Sequence, residues 1–275
     1  MFEKSTTAST PVYQVDVFLR TCCRTGIEHP TDPKPRCVAD TRATMIIKCL
    51  SSLVNSIKNS KNHVKLWIVD DHSGDEFLAL VQAQLEGVNH HIEPLTDTTG
   101  FRASAVRQGE LCLANGREFV YLVEDDYFHD PHAIDLMVHS LISLQQSVNQ
   151  MPCAIFPYDC VDRYHKEFPQ PCRVFYTQGL HWRTVTKSSN TVMLSHGTFY
   201  YTYGIWNKMF ANYDPWSLSE DHTINTLWSN MVDFGGKVVL FSPIPSVAMH
   251  LEHQEPTVVS QGLIDWRQQW QALKA

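Results

Sequence analysis

Phe119-Val120-Tyr121-Leu122-Val123-Glu124-Asp125-Asp126 runs from five apolar residues into three acids with no turn residue between them. A short apolar run of this kind reads as a strand buried on both faces, and the switch to charge marks its carboxyl end. Strand formation does not call for adjacent carboxylates, which repel one another. A divalent cation would relieve that repulsion, and hard oxygen ligands suit Mg²⁺ or Mn²⁺ held jointly with substrate phosphates. A solvated acidic turn is the plain alternative.

Upstream the pattern repeats. Val64-Lys65-Leu66-Trp67-Ile68-Val69 stops at Asp70-Asp71-His72-Ser73-Gly74, and Val15-Asp16-Val17-Phe18-Leu19 reads as an earlier buried strand. Between these two, Met45, Ile46, Cys49, Leu50, Leu53, Val54 and Ile57 recur at the spacing of an amphipathic helix. Helices are expected from about Glu76 to Leu85, Ala103 to Ala114 and His132 to Val148, with a short strand near Ile92. Strands alternating with helices predict an α/β fold with a central, mainly parallel sheet flanked by helices. Ligands of such sheets lie beyond the carboxyl ends of the strands, where both acidic clusters fall. A carboxylate at Asp70 or Asp71 can accept a base N–H or a ribose hydroxyl there, or simply cap the next helix. The chain carries no Gly-x-Gly-x-x-Gly segment and no P-loop, so a glycine-rich turn does not cradle phosphates and a metal would take over that work.

The 275 residues, 43% hydrophobic, suffice for one large domain. Residues 1–12 read as a disordered leader, 13–150 as a nucleotide-binding half and 151–275 as the acceptor half of the same domain. In the second half, strands are expected near Ala154 to Pro157, Thr191 to Leu194, Val238 to Phe241 and Val247 to Met249, with a helix near Asp221 to Met231. No stretch has the roughly 18 apolar residues of a membrane span, and the first residues lack the apolar core of a signal peptide, so a soluble cytoplasmic protein is expected. Eight cysteines without Cys-x-x-Cys spacing indicate neither a disulfide framework nor a zinc ribbon. A net charge of −7 argues against a nucleic-acid coat protein but leaves room for a local basic groove.

Four segments in order resemble the GT-A glycosyltransferases, in particular family 2: the Val15-to-Leu19 strand, Ile68-Val69-Asp70-Asp71-His72-Ser73, Gly100-Phe101-Arg102-Ala103-Ser104-Ala105-Val106-Arg107-Gln108-Gly109, and Tyr121-Leu122-Val123-Glu124-Asp125-Asp126. The resemblance covers roughly residues 13 to 250 and implies a Rossmann-like GT-A domain that moves a sugar from a nucleoside-diphosphate sugar, UDP first among donors, to an acceptor hydroxyl with inversion. It implies that Thr21 and Arg24 of the loop after the first strand, with Asp70 or Asp71, hold the nucleoside. Arg107 would help to hold the nucleotide. Asp125 and Asp126 would form the Asp-x-Asp-type element, one on ribose or sugar and the other on Mn²⁺ or Mg²⁺. His72 stands where the family often has glycine, and Gln108 where it often has asparagine, so the donor is not copied from relatives.

Ser219-Glu220-Asp221-His222 resembles the family's acidic motif at the start of a helix. An inverting transfer needs a carboxylate to take the acceptor's hydroxyl proton. Asp221 is the candidate base and Glu220 the alternative, although the same residues would cap a helix. His250, at the end of the last strand, stands where several GT-A enzymes place a metal-binding histidine, and imidazole suits Mn²⁺ better than Mg²⁺.

Between Tyr158 and Asn190, Tyr158, Tyr164, Phe168, Phe175, Tyr176 and Trp182 alternate with Arg163, Lys166, Arg173, Arg183 and Lys187. Aromatic faces stack on sugars or bases, and the cations could hold phosphate. The same composition also makes a core with a solvated rim. A glycan or lipid-linked acceptor fits first and a hydroxymethylated, flipped-out base in DNA second. A nucleotidyltransferase and a non-catalytic glycan-binding module are the other classes. The first would carry a glycine-rich basic loop, of which Thr21-Cys22-Cys23-Arg24-Thr25-Gly26 is a poor version.

Overall fold

The computed structural model describes residues 11–23, 41–96, 98–160, 172–185, 188–211, 238–251 and 265–273. The first half alternates as the sequence predicts: β1 (Gln14–Thr21), α1 (Arg42–Asn59), β2 (His63–Asp70), α2 (Asp75–Gln84), β3 (His90–Pro94), α3 (Phe101–Asn115) and β4 (Phe119–Val123). Then come β5 (Tyr127–His129), α4 (Ala133–Ser147), β6 (Cys153–Ile155), β7 (Val174–Thr177), β8 (Leu180–Val185), β9 (Val192–Ser195), α5 (His196–Ala211), β10 (Val239–Ile244), β11 (Ala248–His250) and α6 (Trp266–Ala272).

Nine strands form one sheet in the order β3-β2-β1-β4-β9-β6-β10-β8-β7. β3, β2, β1 and β4 are mutually parallel, and β10 is parallel to β6. Among the described strands only β9 and β8 run against the common direction. The reversal at β9, directly beside β4, ends the run of parallel neighbours at the edge where the acidic triplet emerges. β5 and β11 form a separate two-stranded ribbon over that edge.

α1 shows how the sequence secures this arrangement. Thr41 caps it by accepting the Thr44 N–H at 3.2 Å, and Met45, Ile46, Cys49, Leu50, Leu53 and Ile57 are buried against the sheet. Each large side chain so buried stabilises by about 1.5–3 kcal/mol. Two serines interrupt the apolar face and are buried with it. Ser52 Oγ accepts the His129 N–H at 2.9 Å and Ser56 Oγ the Ile134 N–H at 3.1 Å, so α1 fixes β5 and the start of α4 through their backbones. On the other side, Gln108 of α3 is buried, and its amide donates to the Phe18 carbonyl at 2.6 Å, tying α3 to β1.

Two stretches differ from the sequence reading. The polar-aromatic connection expected between β6 and β9 contains the hairpin β7-β8, turned at Gln178 and Gly179, both with positive φ. α5 lies where no helix was expected, and its Phe199 and Thr202 are fully buried. The leader through residue 10, the helix expected near Asp221 to Met231 and the residues from 252 to 264 lie outside the described residues. No described helix is long and apolar enough to cross a membrane.

Candidate active site

β1, β2 and β4 end side by side, with Thr21 opposite Asp70 in the parallel register and Leu19 opposite Val123. The loops leaving them are knitted together. Asp71 N–H donates to the Thr21 carbonyl at 2.9 Å, Cys23 N–H to Ser73 Oγ at 2.8 Å, and Cys22 N–H to Asp125 Oδ2 at 3.1 Å.

Each acid of the triplet faces a different basic side chain. Glu124 Oε1 lies 2.8 Å from Arg20 Nη2, Asp125 Oδ1 2.6 Å from Arg42 Nη2, and Asp126 Oδ2 3.3 Å from His250 Nε2. The mutual repulsion read from the sequence is therefore answered by the protein's own groups, and repulsion alone does not call for a metal. Arg20 is buried, stands over the Phe101 ring at 4.4 Å and anchors Glu124, whose N–H in turn donates to Thr191 Oγ1 at 3.1 Å.

Asp126 carries the feature that repulsion does not explain. Its Oδ1 is buried and has no hydrogen-bond partner among the described residues. Burial works to raise its carboxyl, but the charge and hydrogen bond of His250, with Arg42 behind them, hold it down at about 2. Asp125 shifts the other way, with burial outweighing the pull of Arg42. An ionised carboxylate oxygen shut away without a donor is costly unless a cation meets it. Carboxylate oxygen beside imidazole nitrogen is a donor set that suits Mn²⁺, so Asp126 and His250 fit the metal. Asp125 fits it less well, since Arg42 and the Cys22 N–H already engage both its oxygens. No group of three or more His, Cys, Asp or Glu stands ready as a cage among the described residues.

His250 is held by its strand. β11 pairs with β5 in the register His250 to Tyr127, and the His250 ring stacks on the Tyr127 ring at 4.6 Å. The Leu251 N–H donates to the Asp126 carbonyl at 3.0 Å, locking the ribbon to the triplet.

The second acidic cluster divides its labour. Asp71 accepts Thr99 Oγ1–H at 2.9 Å and the Gly100 N–H at 2.8 Å, which staples the start of α3, where Gly100 takes a φ of 96° that glycine tolerates. Asp70 accepts the Ser73 N–H at 2.9 Å through Oδ2, while its Oδ1, like Thr21 Oγ1 opposite, is buried without a partner among the described residues. Burial raises the Asp70 carboxyl. Of the two acids, Asp70 is the one with an oxygen unengaged among the described residues. His72, in the place of the family's glycine, adopts a φ of 57° and bonds Asp71 through Nδ1 at 3.0 Å.

Arg107 is not gathered with these groups. It pairs with Glu93 and, at 2.9 Å, with Glu110 on the surface of α3. Arg24, Glu220 and Asp221 lie outside the described residues. In the aromatic-basic segment, Trp182 is fully buried, Phe175 packs edge-on against Phe241 at 5.5 Å, and Arg183 pairs with the fully buried Asp159 at 2.5 Å. These three belong to the core, whereas Tyr176 is 69% exposed.

Sequence reasoning missed Arg42, Arg20 and Thr191. Arg42 had a signal: it is a cation in the first turn of a helix with no acid within that turn, against the helix dipole. Arg20 and Thr191 had none, since their partners come from distant strands.

No curated protein matches the chain. Among solved structures, TarS 1–349 of S. aureus is 13% identical at a TM-score of 0.46, over 83% of this chain and 60% of that one. The mannosyltransferase PcManGT from Pyrobaculum calidifontis, in complex with GDP-Man and Mn²⁺, is 11% identical at 0.46, over 85% and 57%. A UDP-glucose pyrophosphorylase complexed with UDP-glucose is 12% identical at 0.45, over 95% and 98%. The chain thus spans about 60% of the TarS fragment, and likenesses this distant say nothing of donor or acceptor. The sequence match is firmer: the family described as glycosyl transferase family 2 matches residues 40–206, more than half of the chain, taking in α1, both acidic clusters and much of α5. The chain belongs to glycosyl transferase family 2, and its fold is the GT-A fold of nucleotide-sugar transferases.

Proposed function

We propose that this glycosyltransferase moves a sugar from a nucleoside-diphosphate sugar, UDP first among donors, to a hydroxyl of a glycan or lipid-linked acceptor, with inversion and with Mn²⁺ as the metal. The observation that carries the reading is the buried Oδ1 of Asp126, unpartnered among the described residues, beside His250 at the carboxyl edge of the sheet. Asp126 and His250 would hold the metal, with further ligands coming from the donor's phosphates. Bound there, it would supply charge neutralisation for the departing diphosphate. Thr21 and Asp70 place oxygens that are unengaged among the described residues at the ends of adjacent strands, where a nucleoside's N–H or hydroxyl groups can meet them. Asp221, with Glu220 as the alternative, is the candidate base for the acceptor's proton.

The test is a screen of nucleoside-diphosphate sugars for donor hydrolysis and transfer, with Mn²⁺, with Mg²⁺ and with chelator, followed by NMR of the product's anomeric configuration. One donor series turned over only with metal, giving inverted product, supports the proposal. Retention of configuration, or turnover unaffected by chelator, contradicts it.

A further inference from the structure

Arg42 and Arg20 both face the acidic triplet, but they are placed for different tasks. The Arg20 side chain is 7% exposed and closed in between Glu124 and the Phe101 ring. The Arg42 side chain is 38% exposed, with Nη2 2.6 Å from Asp125 Oδ1. It belongs to the first turn of α1, where the helix dipole disfavours a cation and the turn itself holds no acidic residue.

Burial works against the charge of Arg42, but Asp125 and Asp126 outweigh it, so the guanidinium stays charged. Among the described residues it gives Asp125 one hydrogen bond, and a guanidinium carries five N–H donors in a planar fork. Such a fork matches two phosphate oxygens at once, which an ammonium does not.

We propose that Arg42 grips the terminal phosphate of the donor's diphosphate and takes up the charge that develops there as the sugar leaves. The inference rests on the glycosyl-transfer reading above. In that step the bond from the anomeric carbon to the phosphate oxygen breaks and its electron pair stays on that oxygen. The acceptor oxygen bonds the anomeric carbon, and its proton passes to a carboxylate, Asp221 in that reading. Arg42 faces the phosphate oxygen that gains the charge, and its contact with Asp125 keeps the fork aimed before the donor arrives.

Calorimetric titration of UDP and UMP in the presence of Mn²⁺, with GDP and GMP as the second pair, tests this on wild type, Arg42→Gln and Arg42→Lys. Glutamine retains a hydrogen bond to Asp125 without the charge, and thermal melts establish that each variant is folded. The expected result is a loss of about tenfold or more in affinity for the diphosphate in Arg42→Gln, a change of less than about twofold for the monophosphate, and partial recovery in Arg42→Lys. Equal diphosphate affinity in wild type and Arg42→Gln overturns the inference and leaves the functional reading intact. Equal losses for diphosphate and monophosphate also overturn it, since Arg42 would then only support the loop. A wild type that binds neither diphosphate removes the functional reading itself.

Discussion

His250 Nε2 lies 3.3 Å from Asp126 Oδ2 because β11 pairs antiparallel with β5 and sets His250 opposite Tyr127. The Leu251 N–H to the Asp126 carbonyl closes the ribbon onto the triplet, and the Tyr127 ring holds the imidazole plane. His250→Ala should therefore cost both stacking, about 0.5–1.5 kcal/mol of stability, and metal-dependent donor turnover, by roughly tenfold or more. His250→Phe keeps the ring and should recover the stacking share of the stability, but neither the Asp126 contact nor turnover. Melting curves and donor hydrolysis on the two variants separate these effects, and equal turnover in both and in wild type would remove His250 from the site.

Asp71 is the cap of α3 in this fold, so Asp71→Ala should act first on stability. It leaves the Gly100 N–H and the Thr99 hydroxyl without their acceptor, a loss of about 1–3 kcal/mol. Urea unfolding measures it directly. A variant as stable as wild type would mean that the staple contributes nothing to stability.

The buried pair Asp159 and Arg183 gives a contrast between breaking and replacing an ion pair. Arg183→Met takes this cation away from a fully buried carboxylate and should destabilise by about 3–5 kcal/mol, whereas Arg183→Met with Asp159→Leu should recover most of that. Denaturant midpoints of the single and double variants decide it, and an additive double variant would contradict this account.

His129 makes stability depend on pH. Burial pushes its imidazole down from 6.5 to about 3, so the folded ring stays neutral while the unfolded one takes a proton. Its contribution is complete above the unfolded value near 6.5 and is lost as pH falls toward 3, at no more than about 1.4 kcal/mol per pH unit. His129→Gln can keep a hydrogen bond to the Tyr121 hydroxyl, which lies 2.8 Å from the ring, and cannot titrate. Unfolding free energies of both proteins from pH 7 to 4 should diverge with wild type falling faster. Parallel curves would place the ring in contact with water.

The strands and helices of the first half were legible because their patterns are local: β4 matches its apolar run residue for residue, and α1 extends its predicted apolar stripe by a turn at its start. The two acidic clusters were legible as sites because the same patterns put them at strand ends. The pairing of Arg20 with Glu124 and of Arg42 with Asp125 was not, because each depends on which loops the sheet order brings together. Trp182 and Phe175 stayed open between two readings for a related reason. An aromatic in a polar segment reads equally as a platform or a core residue, and only the β8–β10 pairing turns Trp182 inward. α5 escaped notice because Tyr200 and Tyr201 lie exposed on it, which blurs its apolar stripe.

The most direct test of the metal and donor account is Mn²⁺ binding followed by electron paramagnetic resonance, with and without UDP or GDP, on wild type and Asp126→Asn. Wild type should bind Mn²⁺ more tightly when one of the diphosphates is present, and Asp126→Asn, which replaces the carboxylate with a neutral amide, should lose that enhancement by roughly tenfold or more. Unchanged Mn²⁺ binding in Asp126→Asn, or none in wild type with either diphosphate, would contradict the claim that Asp126 and His250 hold the metal on which transfer depends.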